Sequence, residues 1–173
     1  MTATSLSQLS THAADAGCSA VFLTEHPAPT QRFLSSGGHS AIDPFVGLAA
    51  CAGAAPDLRL MTHVSVLSYR NPFLLAKSAA TLGRISEGRL ILGVGAGYLS
   101  GEFAALGVDV ERRNDDVDAS LPLLRQIWTG QPVTAKNHRV NARDIVADPT
   151  PVQDPLPLWI GGNAKVTMGR VAD

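Results

Sequence analysis

The stretch RLILGVGAGY, residues 89–98, decides the fold. Leu90, Ile91, Leu92 and Val94 make a short apolar run with little alternation, the pattern of a strand buried on both faces. Gly95-Ala96-Gly97 then ends it in a tight loop. A strand of this kind needs a layer of helices on its faces, and the flanking sequence supplies them.

Upstream, Asn71 and Pro72 read as N-cap and first residue of a helix over 72–84, and Asp43 and Pro44 as those of a helix over 44–54. Between them LRLMTHVSVL, 58–67, alternates and is β-branched near its end, as a strand is. Further upstream, Leu6, Leu9, Ala13 and Ala16 recur at helical spacing before Gly17, and 18–23 is a second short apolar run. Residues 27–40, with Pro29 and Ser35-Ser36-Gly37-Gly38, have no apolar period and read as a long loop. Downstream, Val117, Leu121, Leu124 and Ile127 mark a helix over 111–128. PLWI, 157–160, is the next strand, Gly161-Gly162 its loop, and a helix starts at Ala164. Residues 131–148 break the rhythm and read as an insertion, with Asn137-His138 turning a hairpin between 132–134 and 139–140.

Strands alternating with helices imply parallel βαβ units with right-handed crossovers. The sequence therefore predicts an α/β fold with four strands in helix-first order, in a single domain over 1–173. A closed (β/α)8 barrel needs about 250 residues and a strand before its first helix. The expectation is an incomplete TIM barrel, its first and last strands missing.

The chain has 173 residues, 45% apolar and 17% charged, with a formal net charge of −1, the profile of a globular domain. Without a block of like charges it has no electrostatic footprint for nucleic acid or for an anionic membrane. No basic leader precedes an apolar core, and no segment reaches the roughly 18 apolar residues of a span. A cytoplasmic location is expected. Cys18 and Cys51 sit among small apolar residues and read as buried thiols, so no metal site is expected.

The chemistry falls at strand ends. Glu25-His26 follows the first strand, Thr62-His63-Val64-Ser65 lies in the second, Gly95 to Tyr98 follows the third, and Gly161-Gly162-Asn163 the fourth. In a parallel barrel these ends share one face, where such enzymes place their sites. Gly95 and Gly97 either permit close approach of a flat ring or simply make a packing turn; they lack the dinucleotide fingerprint and the P-loop lysine. Gly161-Gly162-Asn163 before a helix suits a phosphate, with Lys165 adding charge, or is a plain strand-to-helix turn. His12, His39 and His138 read as surface or helix-face residues, and no serine has a hydrolase elbow around it.

The run RNPFLLAKSAATLGRISEGRLILGVGAGYLSGEFAALGVDVERRNDDVDASLPLLRQIWTG, 70–130, resembles the bacterial luciferase-like monooxygenase superfamily. TEHPAP, SGGHSAIDPF and PVQDPLPLWIGGN extend the match, and within the superfamily the chain resembles the oxidoreductases predicted to use the deazaflavin coenzyme F420. The resemblance implies a TIM barrel. It implies that His26, paired with Glu25, lies near the reactive centre of the cofactor and handles a proton. It implies a non-prolyl cis peptide between His63 and Val64, with Thr62 beside it, against the ring. It places Gly95, Ala96, Gly97 and Tyr98 near the cofactor, and Gly161, Gly162, Asn163 and Lys165 around its phosphate.

Two departures from the family pattern stand out. Tyr98 replaces the glutamate of some F420-dependent sugar-phosphate dehydrogenases, and Asn163-Ala164 replaces a frequent Asn-Ser. The reading that follows is hydride transfer between F420 and a small organic substrate, in a homo-oligomer such as a dimer. An FMN-dependent monooxygenase is the alternative, and a non-catalytic flavin-binding or partner-docking remnant the third reading.

Overall fold

The computed structural model describes residues 1–172. Helix α1 (Ala3–Asp15) opens on Thr2, whose side chain accepts from the Ser5 amide while Ser5 bonds back to the Thr2 amide. Strand β1 (Ala20–Leu23) follows, then a one-turn helix α2 (Gln31–Ser35). Asp43 caps α3 (Pro44–Ala52) by accepting from the Phe45 and Val46 amides, with Pro44 where a missing N–H costs nothing. Strands β2 (Arg59–Thr62) and β3 (Ser65–Val66) lead through a 3-10 turn to α4 (Pro72–Ile85), capped by Asn71. Strand β4 (Leu90–Gly95), helix α5 (Ser100–Ala105) and helix α6 (Arg113–Trp128) come next. A hairpin of β5 (Val133–Lys136) and β6 (Asn141–Ile145) precedes β7 (Leu158–Ile160) and α7 (Lys165–Ala172).

The sheet is parallel throughout: β1 pairs with β2, β2 and β3 with β4, and β4 with β7. Val94 bonds in register with Ser65 on one side and Ile160 on the other, so β2 and β3 are one strand, interrupted at 62–64. The His63–Val64 peptide in that gap is cis, at the bond the family resemblance implies. Four strands with helical crossovers are what the hydrophobic rhythm predicts.

Register also sorts the two faces. Val21, Leu60 and Leu90 align on one face and join Leu48, Leu75 and Leu124 in the core under the helices. On the other face Phe22 aligns with Met61, and Gly93 with Trp159; Phe22 and Trp159 remain 56% and 54% exposed. The helices thus cover one side of this sheet, and its second side carries large apolar residues in the open.

Several local expectations change. Residues 27–40 contain α2, because Thr30 supplies an N-cap that the search for apolar periodicity passes over. Helix α6 begins after a 3-10 turn at Val110–Arg112 rather than at Glu111. The hairpin in 131–148 exists, but its turn runs to Val140, because Asn137 Oδ1 accepts from the amides of Arg139 and Val140. Arg139 then fastens the hairpin to the sheet end, donating to the carbonyls of Leu67 and Ser68 and to Asp116. Cys51 is buried as expected; Cys18, in the turn after α1, is exposed. No helix among the described residues is long and apolar enough to cross a membrane.

Candidate functional site

The carboxyl ends of the parallel strands surround a cavity of about 650 Å3. A parallel sheet sends every strand toward the same edge, so loops distant in sequence meet there. Of the residues singled out from the sequence, Glu25, His26, His63, Val64, Gly95, Ala96, Gly97, Tyr98, Gly161, Gly162 and Asn163 line the cavity. Thr62 and Lys165 are not among its lining residues. Thr62 is fully buried and donates its hydroxyl to the Gly93 carbonyl, so it ties β2 to β4 instead.

The glycine loops owe their composition to one side chain. A Cβ on Gly95 would stand 2.8 Å from Val64 Cγ2, and one on Gly161 would stand 2.9 Å from Val64 Cγ1. Val64, on the carboxyl side of the cis bond, is wedged between the two loops, and only bare backbone fits against it. The wall of the cavity is consequently main chain at both loops. Packing and an open approach to the backbone are here the same feature.

Glu25 and His26 are neighbours in sequence but part in space. The Glu25 carboxylate, 6% exposed, accepts from the Ser65 hydroxyl at 3.0 Å, the Val66 amide at 2.7 Å and Arg70 at 2.6 and 2.9 Å. Its lone pairs are spent on holding β3 and Arg70, so it acts as an anchor and not as the partner of His26. Arg70 also donates to Asp43 at 2.6 Å and lies 5.0 Å over the Phe45 ring. Partial burial pushes the Asp43 carboxyl up, but the Arg70 hydrogen bond and the Val46 and Phe45 amides outweigh it and hold Asp43 below the usual carboxylate range.

The imidazole of His26 packs against Phe33 at 5.2 Å and edge-on to His39 at 4.8 Å. His39, exposed as the sequence reading has it, also lines the cavity, and its Nε2 meets the Thr24 hydroxyl at 3.1 Å. His138 is exposed too, but it is not isolated: it pairs with Asp116 at 2.7 Å, outside this cavity. His12 stays exposed on α1.

Glu102 is absent from the residues singled out by sequence. Helix α5 delivers its carboxylate, buried, to within 3.4 Å of His26 Nδ1 and 3.1 Å of the Tyr69 hydroxyl. Burial, and then the nearby Glu102 charge, push the Tyr69 phenol well above its ordinary value, so Tyr69 remains a donor. A single acid in a helix as short as α5 carries no periodic signal, which is why only the fold reveals it.

At the opposite end the lining changes sign. Arg113, Asn114, Asn163, Thr167 and Arg170 face the cavity from α6, the β7 loop and α7. Arg170 is held by Asp118 at 2.6 Å and by the Asn114 carbonyl. Among the described residues no group of three or more His, Cys, Asp or Glu side chains is arranged to hold a metal.

Comparison with known proteins agrees with this architecture. The F420-dependent glucose-6-phosphate dehydrogenase of Beutenbergia cavernae is 33% identical over 168 residues, covering 93% of this chain and 48% of that protein. The monooxygenase RslO1 of Streptomyces bottropensis superposes with a TM-score of 0.80 at 26% identity, over 91% of this chain and 46% of its own. The FMN-bound oxygenating constituent of 3,6-diketocamphane monooxygenase, from the CAM plasmid of Pseudomonas putida, superposes with a TM-score of 0.78 at 21% identity, over 92% and 46%. The chain thus spans about half the length of the relatives it matches. Residues 1–173 match the family described as luciferase-like monooxygenase, and the chain belongs to that family.

Proposed function

We propose that this chain forms the cofactor-binding part of an oxidoreductase that transfers hydride between coenzyme F420 and a small organic substrate. The observation that carries the reading is the polarity of the cavity. Histidines and acids occupy one end, arginines and amides the other, and main-chain walls lie between. A cofactor with a flat aromatic head and a phosphate-bearing tail fits that order. Arg113, Arg170 and Asn163 would hold the phosphate through charge-assisted bonds. Gly95, Ala96, Gly97 and Gly161 would leave room for the ring, and Val64 would support it from beneath.

When bound, a deazaflavin supplies a hydride acceptor or donor that does not pass single electrons. His26 is the residue we assign to the proton: its ring accepts the proton of a substrate hydroxyl as hydride leaves, or returns it in the reverse direction. An imidazole titrates near neutrality and suits both directions. The relative of known activity that covers 93% of this chain is F420-dependent, which supports the deazaflavin over FMN. An FMN-dependent monooxygenase is the alternative, favoured by the FMN-bound fold relative.

We further read the sheet as part of a (β/α)8 barrel closed by strands beyond these four. The uncovered Phe22 and Trp159 support closure. A homo-oligomer, most simply a dimer, is our reading of the state in solution, through a surface other than that face. Fluorescence titration of the purified chain with F420 and, in parallel, with FMN tests the cofactor. Saturable binding of F420 alone is the expected result. Binding of FMN alone moves the reading to the monooxygenase, and binding of neither leaves a remnant that takes no cofactor. Light scattering after gel filtration tests the dimer.

A further inference from the structure

Glu102 is 2% exposed and the His26 side chain 9%, so what these two groups do to each other is little diluted by water. Three groups face the Glu102 carboxylate. The Ala28 amide lies 3.4 Å from Oε1; the Tyr69 hydroxyl, at 3.1 Å, and His26 Nδ1, at 3.4 Å, meet Oε2. The Ala28 amide can only donate, and Tyr69 donates while its phenol is protonated. Phe103, buried beside Glu102, packs edge-on to Tyr69 at 4.9 Å and fixes where that hydroxyl points. An ionised carboxylate accepts and never donates, so its third partner must bring a proton as well.

We propose that Glu102 is a positioning residue that holds neutral His26 with its proton on Nδ1, leaving Nε2 as the proton acceptor of the cavity. His26 Nε2 has no hydrogen-bond partner among the described residues, and its ring lines the cavity. The other ionisable groups near the ring do not compete for Nδ1. His39 meets the ring edge-on, Tyr98 lies 6.3 Å away between centroids, and the Glu25 carboxylate is engaged by Arg70 and β3. The inference deepens the role given to His26 above, and it assigns a function to a carboxylate at a position different from that of Tyr98, where some relatives carry an acid.

The test is nitrogen NMR of the 15N-histidine-labelled chain without cofactor, above the pH at which the rings titrate, with His26 assigned from a His26→Gln variant. A charge-assisted bond to Glu102 is expected to favour the Nδ1–H form by about ten to one. In Glu102→Gln the amide oxygen stays on the Ala28 N–H, so the amide nitrogen faces His26 and asks Nδ1 to accept. The ratio should then invert in favour of Nε2–H. An Nε2–H form in the unaltered chain overturns the proposal, and so does an unchanged ratio in a folded Glu102→Gln variant. Should that variant not fold, the unaltered chain decides by itself. Because no cofactor is present, failure to bind F420 sinks the proposed function and leaves this result standing.

Discussion

At the β1 end of the cavity, the charged side chains and His26 are bound by groups from other elements. Glu25 ties β1 to β3 and Arg70, Arg70 reaches Asp43 at the start of α3, and Glu102 on α5 meets Tyr69 and His26. At the β7 end, Gly161, Gly162, Asn163 and Lys165 stand exposed, and Arg170 has an exposed acid, Asp118, for its partner. On the function proposed above, the contrast separates two tasks. A residue that moves a proton needs a fixed angle and a dry setting, so its end is built into the fold. A residue that holds a phosphate needs charge and free N–H groups, and these work at a wetter surface.

The largest expected effect comes from cutting the built-in end. Arg70→Ala strands Glu25 as a buried, unpaired charge, and urea unfolding at neutral pH should show a loss of about 3–5 kcal/mol. Adding Glu25→Gln should recover part of that loss; if it recovers none, the network is not what joins β1 to β3.

A smaller loss is expected between the two ends. Gly95→Ala drives a methyl group into Val64, and thermal unfolding should register about 1–3 kcal/mol of overpacking. Val64→Ala in the same chain should return most of it, since the clash is with that one side chain. Full tolerance of Gly95→Ala would mean that the main-chain wall is not set by Val64.

At the binding end the effect should be on affinity rather than stability. Arg113→Ala should weaken F420 binding about tenfold, roughly 1.4 kcal/mol, while Lys165→Ala, outside the cavity lining, should change it by less than about twofold. The reverse ranking in a fluorescence titration would put the phosphate at Lys165 rather than at Arg113.

The smallest effect is a matter of pH. Because Asp43 titrates below its ordinary value of 3.8, its pairing with Arg70 stabilises the fold above that pH. That contribution should fade as pH falls through the lower folded-state value. The Asp43 side chain is 40% exposed, so the term stays under about 1 kcal/mol. Asp43→Asn should flatten the acid limb of a plot of melting temperature against pH; an unchanged limb would confine the buried network to Glu25.

Much of the fold was legible in residue pattern. The apolar run of β4, the Asn71-Pro72 and Asp43-Pro44 helix starts and the Gly17 stop are local signals, each with a local physical cause. They place four strands and the helices between them, and through the shared direction of the strands they bring His26, His63, Gly95 and Gly161 to one edge. The short helices α2 and α5 escaped because a single turn has no period to read.

The sequence alone could not say which neighbours a charged side chain would choose. Glu25 stands beside His26 in the loop just past β1, yet Glu25 went to Arg70 and β3. Glu102, 76 residues away, took its place beside His26. His39 entered the cavity for the same reason, carried there by a loop of no regular pattern. Element type and strand order follow from short-range sterics and periodic burial, which the sequence writes out. Pairing of polar groups follows from which ones the sheet brings within about 3 Å in a place water does not reach, and only the tertiary structure decides that.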